Sequence, residues 1–325
     1  MKRIVFLIIS LAMFITSTYA NNTSNYSSVW RERELVHEIK KRDPMKFSSL
    51  EIREEGWGKF SQYQKPYNMD MQIDTASKKI RLNKNWVQFA VWTLTQGNHK
   101  LIDGQLVSSY SGTTIVTQAI DGWFRQTVSI TSADANKFYD FPMDLPKDYH
   151  LVQDNFKNIS IQNKSGSILA QILQPWAKDA TWKSINTYYT IEQNNILRQH
   201  IDFSETDAFP IIADPAWCGA SIASTSWINR SGIWSLSIMP TACGKLWILW
   251  AGWFNVNYSW EEVLNMTPSS THWDKAYWIN TYWSMYYQYA CHPNTASLLL
   301  KFPWNIEPSR PNVGYLATVA ALCNP

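Results

Sequence analysis

Four side chains in CHPNTASLLLKFPWNIEPSRP, residues 291–311, are of types that do chemistry: His292, Lys301, Glu307 and Arg310. They lie in a final third, Trp217 to Pro325, that holds eleven tryptophans but only nine charged residues. A charge in apolar surroundings is costly unless it is paired or used, so these residues mark the candidate site. His292 titrates near neutrality and is the candidate general acid or base. Glu307 would orient it, or act as a base itself if Trp304 and Ile306 raise its pKa. Arg310 would grip an anionic group through its two-pronged guanidinium, joined by Lys301 and by Arg230. Trp304 and Asn305, next to Glu307, complete the expected substrate-binding set. Together the residues suggest attack on, or transfer of, a phosphate- or carboxylate-bearing substrate, with no metal and no cofactor required.

A purely structural role competes with this. Glu307 and Arg310, three apart between two prolines, would form a salt bridge that locks the WNIEPSRP turn, while His292 bonds a backbone carbonyl. The chain contains no GxSxG, no HExxH and no glycine-rich phosphate loop, so no motif decides whether it is an enzyme. His272 reads as a helix-start residue.

The elements that would carry these residues follow from patterning. SIASTSWINRSGIWSLSIMPTACG predicts a β-hairpin with its turn at Asn229-Arg230-Ser231-Gly232. LWILWAGWF, 246–254, fits a buried strand, although the spacing of Trp247, Trp250 and Trp253 leaves a helix open. Ser259 and Glu262 form a capping box for a short helix that stops before Pro268. Thr271 and Asp274 repeat that cap ahead of a longer helix, WDKAYWINTYWSMYYQYAC. Trp273, Tyr277, Tyr286, Tyr287 and Ala290 are expected on one of its faces, with Trp278, Tyr282, Trp283 and Tyr289 elsewhere. Such a helix is either core with aromatic rims or an exposed surface that stacks on sugar rings.

Residues 1–20 have the form of a secretory signal: Lys2 and Arg3, an apolar run from Ile4 to Ile15, and a Thr18-Tyr19-Ala20 cleavage site. The apolar run is shorter than the roughly 20 residues that span a bilayer, so no transmembrane segment is expected after signal removal. The expected location is secreted or periplasmic. In an oxidising compartment Cys218, Cys243, Cys291 and Cys323 read as two disulfides. Three pairings are open; we favour Cys218 to Cys243 and Cys291 to Cys323, each joining segments a compact domain can bring together. A loop-entropy argument gives each bridge about 3 to 4 kcal/mol. A zinc site lacks the CxxC spacing it needs. Removing the signal leaves 27 basic and 26 acidic side chains, a near-neutral balance that argues against nucleic acid as a partner.

The chain divides into the signal, a polar 21–69 segment with a helix in VWRERELVHEIKKRDPMK, a β-rich module over 70–215, and a C-terminal domain over 216–325. Turn signals at Asp103-Gly104, Ser111-Gly112 and Asp121-Gly122 punctuate the β-rich module at hairpin intervals. The expected fold class is α+β, an N-terminal antiparallel β domain followed by a small disulfide-stapled α+β domain.

Two resemblances refine this. The run containing PWAKDA, closing on FPIIADP at Phe209 to Pro215, resembles a β-rich front module of exported bacterial proteins that ends in an FPVVADP-like sequence and precedes varied C-terminal domains. The hairpin SWINRSGIWSLSIMPTA, with Ser284-Met285, Gln288 and Cys291-His292, and the element KFPWNIEPSRPNVG, resembles the bacterial domain of unknown function 2599. Ser309 departs from the large aromatic expected in many relatives, which removes a stacking role at that position. These resemblances imply an exported, cysteine-containing protein and bring no established activity. Our expectation is a secreted effector or toxin-like hydrolase acting at the cell envelope, with a non-catalytic module that binds cell-wall glycan through exposed aromatics as the alternative.

Overall fold

The computed structural model describes residues 31–41, 49–64, 69–84, 87–92, 98–110, 113–155, 157–245, 256–267, 271–277, 279–295 and 301–325. Residues 1–20, expected to be a secretory signal, the apolar run 246–254, Ser111-Gly112 and Trp278 lie outside the described residues. Residues 1–46 and 47–325 are two compact units. In the first, residues 31–41 form the helix expected from their spacing.

The second unit is built on two antiparallel sheets. One runs in the order Tyr149–Gln153, Ile159–Asn163, Ile168–Ile172, Ala216–Cys218, Trp123–Ile130, Thr113–Ile120, Gln105–Tyr110 and Asn98–Ile102. The other runs Thr187–Glu192, Ile196–Ile201, Phe138–Asp144, Val87–Trp92, Lys79–Lys84, Met69–Asp74, Lys59–Gln64 and Arg53–Gly56. Strands therefore begin at Ser49, ahead of the 70–215 span read from composition. Period-two alternation sends one face of each strand inward, as in Met69, Met71 and Ile73. Aromatic rings bridge the two inner faces: Phe124 stacks on Trp217 at 4.6 Å, and Phe141 meets Trp217 edge-on at 5.6 Å.

PWAKDA and FPIIADP contribute neighbouring strands. Trp176–Lys178 pairs with Ile211–Asp214 in the register Trp176 to Asp214 and Lys178 to Ile212. Asp179, within PWAKDA, is buried and accepts the backbone N–H groups of Thr181 and Lys183, which closes the turn between them.

The strand Ala216–Cys218 belongs to the front sheet, and Cys218 bonds to Cys243 beyond the next hairpin. Cys291 bonds to Cys323, so the favoured pairing is the observed one. Gly219, just after the junction, has no space for a side chain, because a Cβ there would overlap the ring of fully buried Trp123. Gly219→Ala is expected to destabilise the protein by about 1 to 3 kcal/mol, read as a lower urea midpoint. An unchanged midpoint would show that the junction relaxes.

Candidate functional site

The hairpin forms as predicted, Ile222–Arg230 pairing with Ile233–Pro240. Ser231 and Gly232 both adopt positive φ, 52° and 87°, as a two-residue turn of this hand requires, and Asn229 Oδ1 accepts the N–H of Gly232. A third strand, Trp304–Ile306, pairs antiparallel with Ile233–Pro240 and delivers Glu307 beside Ser235. Pro308 follows at the position where its fixed φ favours a turn, and the N–H of Arg310 donates back to the carbonyl of Glu307 at 3.2 Å.

This places three sequence-predicted residues together. Glu307, with its side chain 2% exposed, accepts Arg230 Nη2 at 2.6 Å and Ser235 Oγ at 2.8 Å on one oxygen. Its other oxygen takes Arg310 Nε at 3.3 Å. The arginines are much more open, at 51% for Arg230 and 35% for Arg310. A buried carboxylate is thus satisfied by two guanidiniums that reach it from the surface, the arrangement an ionised buried acid needs.

Two residues outside the predicted set fix the turn. Gln288 Nε2 donates to the Glu307 carbonyl and its Oε1 accepts the Glu307 N–H, both at 2.9 Å, so its amide acts as one more strand rung. Ser284 Oγ donates to the Arg310 carbonyl at 2.8 Å. Both lie on the helix Asn280–Asn294, four apart and buried. That spacing, two polar residues on one face of an aromatic helix, was the available signal.

His292 does not join the cluster. Its ring lies parallel to Trp304 at 6.0 Å, and Trp304 leaves its strand on the face opposite Glu307. A ring N–H bonds the backbone of Asn305, while Nε2 is buried without a partner among the described residues. Burial first, and the Lys301 charge as a smaller contribution, lower its pKa to about 4, against the bond to Asn305 and the Glu307 charge. It is therefore neutral at pH 7. Trp304 is in the core, 1% exposed, Asn305 is half-buried, and Lys301 is exposed.

The long helix begins at Asn280, seven residues later than Trp273. Asp274 instead accepts the N–H of Ala276, and Lys275 Nζ donates to the carbonyls of Leu264 and Thr267, capping the preceding helix Val256–Met266. That helix also starts ahead of its predicted cap: Ser259 is inside it, bonding back to Val256. His272 stacks on Trp234 at 3.8 Å and starts no helix. Trp273, Tyr282 and Tyr289 are buried around Trp260, whose Nε1 donates to Tyr282. Tyr277, Trp283, Tyr287 and Tyr315 form a continuous outer row, with ring centroids 4.9, 5.7 and 6.3 Å apart. Tyr277 is 59% exposed and the others are half-buried.

Hairpin, third strand, Glu307 turn and both late disulfide partners, Cys291 and Cys323, all lie within one segment. Residues 222–325 match the family model described as Protein of unknown function (DUF2599). The DUF2599 match thus takes in every predicted catalytic and substrate-binding residue, but not Cys218, and starts after the strand Ala216–Cys218. No curated protein and no solved structure matches the chain. No helix among the described residues is long and apolar enough to cross a membrane.

Proposed function

We propose that the chain is an exported bacterial protein in which a β-rich front module, closing near Pro215, presents a C-terminal domain that binds glycan at the cell envelope. The row Tyr277, Trp283, Tyr287 and Tyr315 carries this reading. Its rings pack on one another, Tyr277 edge to face on Trp283 and the next two pairs tilted, and their open sides suit the apolar faces of sugar rings. The two disulfides support an oxidising destination, in keeping with the signal-like start. Trp283→Ala combined with Tyr287→Ala is expected to weaken retention of the signal-free chain on insoluble cell-wall glycan by about tenfold or more, with far-ultraviolet dichroism unchanged. Equal retention of variant and parent would sink the proposal.

The second reading is a secreted effector or toxin-like hydrolase using His292, Glu307 and Arg310. One observation favours it: the buried Nε2 of neutral His292 has no partner among the described residues and carries a lone pair that can accept a proton. Against it, both oxygens of Glu307 are taken by donors and Trp304 stands between the two residues' faces. Binding is therefore the preferred reading.

A further inference from the structure

The two arginines are committed to Glu307 by only part of their donor sets. Arg230 uses Nη2 on Glu307 and Ser235, and Arg310 uses Nε on Glu307 and Nη1 on the Pro325 carbonyl. Among the described residues no hydrogen bond engages Arg230 Nε and Nη1 or Arg310 Nη2. Both side chains stand one third to one half exposed, so the unengaged donors face solvent. Residues 216–325 hold four acids in all, and of these Glu262 is taken by Lys84 of the front module. Holding both guanidiniums on one buried carboxylate fixes them before any ligand arrives, which lowers the ordering cost of binding. Ser226 and Ser237 stand directly opposite each other on the hairpin. Alternation puts Ser237 on the same face as Ser235 and Glu307, and Ser226 is exposed there. Hydroxyl groups thus share one face of the sheet with the paired cations.

We propose that this face of the three-stranded sheet binds the carboxylate of an acidic sugar, Arg230 and Arg310 receiving the anion and the serine hydroxyls its neighbouring ring hydroxyls. This rests on the glycan-binding reading and narrows it to uronate-type chains. A carboxylate borne on a sugar ring fits better than a bare anion, because cations and neutral hydroxyls share one face.

The test is calorimetric titration of the signal-free chain with a galacturonate tetramer, with its methyl-esterified form, and with a neutral glucan of equal length. The free acid is expected to bind about tenfold or more tightly than its ester, and Arg230→Gln and Arg310→Gln are each expected to remove that preference while leaving neutral-glucan affinity in place. Because Arg230 is half-exposed, its variant should keep the parent's thermal midpoint within a few degrees; Arg230→Lys, which keeps the charge and loses the fork, is expected to fall between. Equal binding of acid, ester and glucan would overturn the carboxylate site and leave glycan binding standing. Binding to none of the three would overturn both.

Discussion

Glu262→Ala is expected to cost about 3 to 5 kcal/mol, the largest loss from any single change considered. Lys84 is the cause. On the strand Lys79–Lys84 the inward positions are Ile80, Leu82 and Lys84, so a cation occupies a core-facing site, 8% exposed. Its Nζ donates to the Gly219 carbonyl, to Tyr258 Oη and, at 3.1 Å, to Glu262 Oε1. The other oxygen of Glu262 accepts the backbone N–H of Ser221 at 2.7 Å and of Ile222 at 3.1 Å, where the chain leaves the front sheet for the hairpin. Burial, with Glu262 beside it, pushes the Tyr258 phenol well above its ordinary pKa, so it stays a hydroxyl. Removing the carboxylate strands one ammonium and two backbone donors in a dry junction. Chemical unfolding of the full chain measures the loss. Lys84→Met together with Glu262→Leu should recover much of it, since paired apolar replacement of a buried ion pair is often tolerated. A loss below about 1 kcal/mol for Glu262→Ala would mean that water reaches Lys84.

The second large effect is a pH dependence set by His292. Its folded pKa of about 4 lies below the ordinary 6.5, because the buried ring disfavours charge. Below pH 6.5 the unfolded chain takes up a proton that the folded chain refuses. Stability from this group is complete above 6.5 and falls as the pH drops toward 4, by on the order of 3 kcal/mol across the window. His292→Gln should flatten the stability profile between pH 6.5 and 4 relative to the parent. Parallel profiles would show that the ring is protonated in the fold. A general base poised for work at neutral pH would have the opposite placement, closer to the operating pH.

Local rules made much of this legible. Asn229 to Gly232 had the residues a tight hairpin demands, and the cysteines paired as their segments' proximity suggested. Glu307 and Arg310 were found together because Pro308 sets a turn between them. What failed was the assignment of caps. Ser259 and Glu262, and then Thr271 and Asp274, have the cap spacing, yet Glu262 is drawn to Lys84, 178 residues away, and Lys275 folds back onto the end of the previous helix. Tertiary partners outcompeted a local bond of about 1 kcal/mol. Lys84 did carry a signal, a charge in phase with two inward aliphatics. Its partner lay beyond what periodicity can reach. His292 bonds the backbone of Asn305 and Glu307 lies two residues beyond it, so alternation along the strand sets Trp304, against His292, and Glu307 on opposite faces.

As a binding module, the C-terminal domain is expected to hold its ligand and not to cleave it. One experiment measures both on the same sample: signal-free chain is incubated with envelope glycan, and bound protein and released soluble sugar are quantified together. Saturable retention with no released product is expected, unaffected by His292→Ala and lost in the Trp283→Ala, Tyr287→Ala variant. Release of sugar that stops in a folded His292→Ala protein would contradict it.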